Sequence, residues 1–220
     1  MDNPKNTLKE TLHQTNQTWL NETDDATKQK FANAVTVVAE SDLVKNALNI
    51  GDHAPDFVLN NAVNLPVQLS SLLAKGPVIL IWYRGGWCPY CNLQLRFMQQ
   101  YLAQFTALGA SLVALTPELP DKSLDTKEKN ELAFEVLTDY DNQVARKFGI
   151  VYTLHDELVD IYNDRLEKYN GVDSNEIPLP ATYLIDQQGM IRYAYLNPNY
   201  KERAEPAEII VALQAIRRQV

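Results

Sequence analysis

The chain has 220 residues, 45% apolar and 22% charged, a composition able to bury the core of a soluble globular protein. A formal net charge of -8 makes it a poor partner for phosphate backbones or anionic lipid, which sets nucleic-acid and membrane-surface binding aside. No stretch reaches the roughly 18 uncharged apolar residues of a membrane span, and the start shows no basic segment followed by an apolar run, so the expected compartment is the cytoplasm.

Residues 1–50 read as a helical arm. Asn3-Pro4 has the form of a helix cap followed by proline at the first helical position. Leu8, Leu12 and Trp19 follow at helical spacing, a second pattern carries Phe31, Val35 and Val38, and a third starts near Ser41. The apolar faces of this arm are expected to pack on the following domain or on a dimer partner, and they suggest no chemistry.

A single domain is expected over 51–220. Its opening, "GDHAPDFVL" and "PVQLSSLL", reads as a hairpin with a polar turn at Asn60 to Leu65 and a short helix after it. "GPVILIWYR" is a buried strand by its continuous apolar content, and the helix after it repeats Leu93, Phe97, Tyr101 and Phe105 every four residues. "ASLVALT" is a second buried strand, Lys122 to Leu132 a charged helix, "FEVLT" a short strand, and Asp141 to Phe148 a helix closed by Gly149. Residues 151–178 mix Tyr, Asp and Leu without a clean period. "ATYLID" and "MIRYAYL" flank the turn "QQG" as an antiparallel hairpin, and an amphipathic helix begins near Pro206. This order predicts an α/β fold, a mixed central sheet with helices on both faces.

Only two cysteines are present, and they stand three residues apart in "WCPYC" at Cys88 and Cys91. In a reducing compartment a lone pair with this spacing points to redox chemistry or metal binding rather than to a structural disulfide. The strand before it ends near Tyr83, Arg84-Gly85-Gly86 turns the chain, and Pro89 suits the first turn of a helix. Cys88 therefore falls at or beside the helix N-cap, where free N–H groups and the helix dipole lower a thiol pKa from about 8.5 to roughly 3.5–7.5. Arg84 is a second candidate stabiliser of the thiolate. Cys91 lies one turn on along the same side, close enough for a reversible disulfide after modest adjustment. Two inert buried thiols are the plain alternative. A zinc site would need ligands that the separated His13, His53 and His155 do not supply. Pro180, just before a strand in "IPLPATYLID", is a candidate for a cis bond facing the thiols, although a trans proline starts a strand equally well.

The segments "APDFVL", "GPVILIWYRGGWCPYCNLQL" and "PATYLIDQQGMIRYAY", with the ending "YKERAEPAEIIVAL", resemble the peroxiredoxin-like branch of the alkyl hydroperoxide reductase C / thiol-specific antioxidant family. "WCPYC" itself resembles the WCxxC motif of thioredoxins. The resemblance runs from about Gly51 to the C-terminus. It implies a thioredoxin-like fold, Cys88 as attacking thiol, Cys91 as resolving thiol and Pro180 as a cis proline facing the pair; Arg84, Trp87 and Pro89, read from the loop and helix start, are the supporting residues. The sequence departs from the P-x-x-x-T-x-x-C pattern of peroxiredoxins. Counting back from Cys88 gives Gly85 and Ile81, and counting back from Cys91 gives Cys88 and Arg84. The expected activity is a thiol peroxidase in which a hydroperoxide oxidises the pair and an external dithiol such as thioredoxin reduces it, without metal or cofactor. A dithiol–disulfide oxidoreductase acting on protein disulfides is the alternative, and a non-enzymatic redox sensor or binding module the second one.

Overall fold

A computed structural model of the protein describes residues 6–162 and 164–218. The expected helix start at Asn3-Pro4 lies outside them. The first described helix, α1 (Leu8–Glu22), starts at Thr7, whose hydroxyl accepts the Glu10 N–H while the Glu10 carboxylate accepts the Thr7 N–H. This reciprocal cap satisfies two otherwise orphaned donors. Helix α2 (Asp25–Glu40) is capped by the Asp24 carboxylate, and the short α3 (Leu43–Asn46) follows. Leu8 and Leu12 are buried in the main core, so α1 packs on the rest of the chain.

Strands β1 (Val58–Asn61) and β2 (Pro66–Gln68) form the hairpin, and α4 (Leu69–Leu73) leads into β3 (Val78–Trp82). Then come α5 (Pro89–Ala107), β4 (Ser111–Thr116), α6 (Pro120–Lys129) and β5 (Glu135–Thr138). Helix α6 begins at Pro120 rather than Lys122, because proline at the first helical position forgoes an N–H that would be unpaired anyway. The helix expected over 141–148 is shorter. Tyr140–Asn142 is a 3-10 turn with Asp141 and Asn142 at φ 53° and 54°, and α7 covers only Gln143–Lys147. The buried Asp139 carboxylate causes this by accepting the Val144 and Ala145 N–H groups, each at 2.8 Å, and so caps α7 from upstream of the turn.

The aperiodic segment is a closed excursion. Strand β6 (Val151–Thr153), α8 (Asp156–Tyr162), α9 (Arg165–Asn170) and β7 (Glu176–Pro178) follow one another, and Val151 pairs with Pro178, so the chain leaves and returns at one place. Strands β8 (Ala181–Ile185) and β9 (Ile191–Leu196) form the second hairpin, and α10 (Pro206–Arg217) ends the described chain.

The main sheet has the order β2-β1-β5-β4-β3-β8-β9. β3, β4 and β5 are parallel neighbours, while β1 and β8 join them antiparallel. Strand β3 is an interior strand, between β4 and β8, and all five of its residues are fully buried. Ile79, Ile81 and Tyr83 face the layer of α1, α5 and α10, whereas Val78, Leu80 and Trp82 face the opposite core with Leu73, Val144 and Phe148. Each such side chain contributes about 1.5–3 kcal/mol on burial, which fixes the strand on which the cysteine loop hangs. Among the described residues no helix is long and apolar enough to cross a membrane.

The proline expectation is corrected. The described residues contain no cis peptide bond, so Leu179–Pro180 is trans. The Leu179 N–H donates to the Ile150 carbonyl at 2.7 Å, and the chain runs on extended from β7 into β8. Pro180 is buried at the strand start, where a missing N–H breaks no ladder bond.

Candidate active site

Beyond Trp82 the chain leaves β3 through Tyr83 and Arg84 and turns at two glycines. Gly85 has φ +152°, and a Cβ there would lie 2.2 Å from the Trp87 indole nitrogen. A Cβ on Gly86 would lie 2.0 Å from Thr126 Oγ1. The turn closes with the Cys88 N–H on the Gly85 carbonyl at 3.0 Å, and Pro89 then starts α5. Asn92 locks the loop to the helix by donating to the carbonyls of Gly86 (2.7 Å) and Cys88 (3.1 Å). Asn130 holds Asn92 in turn at 2.8 Å. Cys88 is thus the N-cap residue of α5 and Cys91 the third residue of its first turn.

Both thiols are reduced and buried, Cys88 at 1% exposure and Cys91 at 0%. Cys88 is not sealed in. Its side chain forms part of the wall of a pocket of about 170 Å³, whereas Cys91 lies outside the lining. The two thiols are close enough to be electrostatically coupled. This arrangement corrects the expectation of a low Cys88 pKa. Burial pushes the Cys88 thiol well up, and its coupling to Cys91 adds to that shift. Its side chain makes no capping bond to the helix. Of the coupled pair it is Cys91 that is pushed down. Burial opposes its charge, but Cys88, the Arg203 guanidinium and the Arg84 backbone N–H outweigh it and bring Cys91 down to about 5. The two thiols therefore titrate as a pair.

Arg203 is the residue that sequence reasoning missed. It stands between β9 and α10, 5% exposed, with Nη2 3.3 Å from Cys91 Sγ. Its Nε donates to Gln94 Oε1 at 2.8 Å, and its Nη1 donates to the carbonyls of Tyr200 and Glu202. Gln94 is braced by Thr182 on β8 at 3.3 Å. No helical or strand period marks Arg203. The nearest signal was the family-like ending "YKERAEP", in which the arginine has no assigned role.

Arg84 lines the pocket beside Cys88. Its Nη2 donates to the Tyr162 hydroxyl at 2.7 Å, and its guanidinium carbon lies 4.2 Å from the Tyr200 ring centre and 4.9 Å from that of Trp87. Trp87 and Pro89 line the pocket with Cys88. Pro180 does not line it. Below the loop, the fully buried Glu118 accepts the Gly86 N–H at 2.8 Å and the Tyr83 hydroxyl at 3.3 Å. Burial raises its carboxyl to about 7.

The other side of the pocket comes from segments that sequence reasoning left without chemistry. Trp19 of α1, Phe31 of α2, Ile161 and Tyr162 of α8, Arg165 and Tyr200 complete the lining. Their rings meet edge to face: Trp19 with Phe31 at 5.2 Å, Trp87 with Tyr162 at 5.1 Å, Tyr90 with Tyr200 at 5.9 Å. Lys201 ties the arm down by donating to Asn16 at 2.8 Å, with its ammonium 4.4 Å from the Trp19 ring centre.

A strand–loop–helix unit carrying two coupled thiols is common to several kinds of thiol enzyme. Comparison with known proteins gives the family. The sequence pattern of the AhpC/TSA family matches residues 50–194. The chain belongs to the AhpC/TSA family. It is 33% identical over 105 residues to a Haemophilus influenzae protein named peroxiredoxin bcp, covering 48% of this chain and 67% of the relative. It is also 25% identical over 161 residues to the thiol-disulfide oxidoreductase ResA of Bacillus anthracis, covering 73% of this chain and 78% of the relative. Among solved structures, peroxidoxin BcpB of Mycobacterium tuberculosis superposes with a TM-score of 0.62 at 22% identity, over 77% of this chain and 99% of that one. That likeness places this family member in the thioredoxin-like peroxiredoxin fold. The α1 and α2 side of the pocket, together with Tyr200 and Arg203, lies outside the matched span.

Proposed function

We propose that this protein is a thiol-dependent peroxidase that reduces hydroperoxides through Cys88 and Cys91. The observation that carries this reading is the division of labour between the thiols. Cys88 borders the pocket, while Cys91 lies behind it with the Arg203 guanidinium 3.3 Å from its sulfur, where a proton acceptor and resolving thiol is needed. As a hydroperoxide enters, the Cys88 proton passes to Cys91, and the Cys88 thiolate attacks the outer oxygen. The O–O bond breaks, Cys88 becomes a sulfenic acid, and the proton on Cys91 goes to the departing alkoxide. The regenerated Cys91 thiolate then attacks Cys88 Sγ, the S–O bond breaks, and hydroxide leaves and is protonated by solvent. One hydroperoxide yields one alcohol, one water and a Cys88–Cys91 disulfide.

An external dithiol returns the pair to the reduced state. A small dithiol can enter as the peroxide does, whereas thioredoxin requires the aromatic side of the pocket to lift from Cys88. The cytoplasm, where such reductants are kept reduced, is the compartment that suits this cycle. A homodimer belongs to the same reading only as an open assembly around a site already complete within one chain. The test is to mix reduced protein with hydroperoxide and follow turnover with a thioredoxin or small-dithiol system. Rapid disulfide formation is expected, and oxidation no faster than that of free cysteine would remove the peroxidase reading.

The second reading is a dithiol–disulfide oxidoreductase, favoured by the WCxxC pair and the similarity to ResA. It asks Cys88 to attack a protein disulfide through a narrow pocket. Insulin reduction with dithiol supplied distinguishes it, and the peroxidase reading expects slow reduction there.

A further inference from the structure

The pocket next to Cys88 is small and largely aromatic, and part of it comes from outside the span that matches the family. Trp19 and Phe31 of the arm lie outside that span, whereas Ile161 and Tyr162, in the excursion between β6 and β7, lie within it. The Phe31 ring packs edge to face on Tyr162 at 6.4 Å and on Trp19 at 5.2 Å, so these residues form one connected wall. The volume, about 170 Å³, is set by their positions. A dry apolar cavity of about 150 Å³ is large enough for a benzene ring. Both cationic groups of the wall are engaged with its rings: the Arg84 guanidinium is stacked on Tyr200 and bonded to Tyr162, and the Arg165 guanidinium carbon lies 5.8 Å from the Tyr162 ring centre.

We propose that the arm and the excursion form a specificity wall that selects hydroperoxides with one compact aromatic body, Trp19, Phe31, Ile161 and Tyr162 being the specificity-determining residues. This rests on the peroxidase reading and names its substrate class. With the O–O bond at Cys88, a ring attached one carbon away reaches this wall, where edge-to-face contact with Trp19, Phe31 and Tyr162 favours an aromatic ring over an aliphatic group of equal size. A hydroperoxide on a long linear chain exceeds the space, and hydrogen peroxide leaves it unfilled.

The experiment compares kcat/KM for cumene hydroperoxide, hydrogen peroxide and a linear long-chain hydroperoxide in the full-length protein. The preference for cumene hydroperoxide over the other two is expected to fall about tenfold in Trp19→Ala, which removes ring contact, and in Ile161→Phe, which narrows the space. A measurement on the unaltered protein guards against misfolding of the variants. The unreactive product 2-phenyl-2-propanol should slow alkylation of Cys88 saturably, and a linear alcohol of equal carbon number should do so less well. Turnover in which the cumene ratio is the same in all three proteins, or in which the linear substrate is preferred, overturns this inference and leaves the peroxidase reading standing. Absence of turnover with every hydroperoxide overturns both.

Discussion

The side of the site that carries the thiols and the side that faces them reach the same pocket by different routes. Residues 78–91 run continuously from β3 through the glycine turn into α5, and the bonds that hold them are local: Cys88 to Gly85, Asn92 to Gly86 and Cys88. The facing wall is assembled from residues as far apart as Trp19 and Tyr200, held by ring contacts and by the Lys201–Asn16 bond. A continuous route gives a rigid, pre-set reacting group. An assembled wall can be exchanged piece by piece without disturbing that group, which suits it to substrate choice.

The largest stability effect expected on the thiol side comes from Glu118. Its carboxyl is raised from 4.5 to about 7 by burial, so the folded state holds a proton that the unfolded chain has lost between those values. Stability is then fully present below about 4.5 and falls as pH rises to about 7, by on the order of 3 kcal/mol. Denaturant titration across this range should show the decline, and Glu118→Gln should flatten it.

Gly86→Ala comes next. Its Cβ would meet Thr126 Oγ1 at 2.0 Å, and the expected loss of about 1–3 kcal/mol is readable from a thermal or denaturant midpoint. On the facing side, Tyr162→Phe removes the acceptor of the Arg84 Nη2 bond and should cost about 1 kcal/mol. A Tyr162→Phe loss greater than that of Gly86→Ala would reverse the assignment of rigid and exchangeable sides. Arg203→Met, which keeps the bulk near Cys91 but removes the charge, is read in thiol ionisation rather than in stability. The ultraviolet thiolate absorbance should show one ionised sulfur at neutral pH in the unaltered protein. Its midpoint should move up from about 5 by at least one unit in the variant, about 1.4 kcal/mol of lost charge interaction.

The same contrast explains what was legible in the sequence. Strand β3, the turn and α5 announce themselves by a continuous apolar run, two glycines and a proline at a helix start, because their causes are local. The antiparallel hairpin of β8 and β9 was equally plain from its alternation and its "QQG" turn. Trp19, Phe31, Tyr162 and Tyr200 look like ordinary core aromatics in the sequence, since their meeting depends on how distant segments dock. Arg203 is the sharper case. Its guanidinium helps push Cys91 down, yet it stands 112 residues from the sulfur it touches. The cis form of Pro180, carried over from the family resemblance, is not found: the Leu179–Pro180 bond is trans.

Which sulfur meets the peroxide is the point on which the account turns, because the thiol that is pushed down and the one bordering the pocket are different. Reduced Cys91→Ser and Cys88→Ser variants should each be treated with one equivalent of hydroperoxide in the presence of a sulfenic-acid trap and analysed by mass spectrometry. A trapped adduct on Cys88 in the first variant, with little on Cys91 in the second, is the expected result. A rapid adduct on Cys91 when Cys88 is absent, and none on Cys88 when Cys91 is absent, would contradict it.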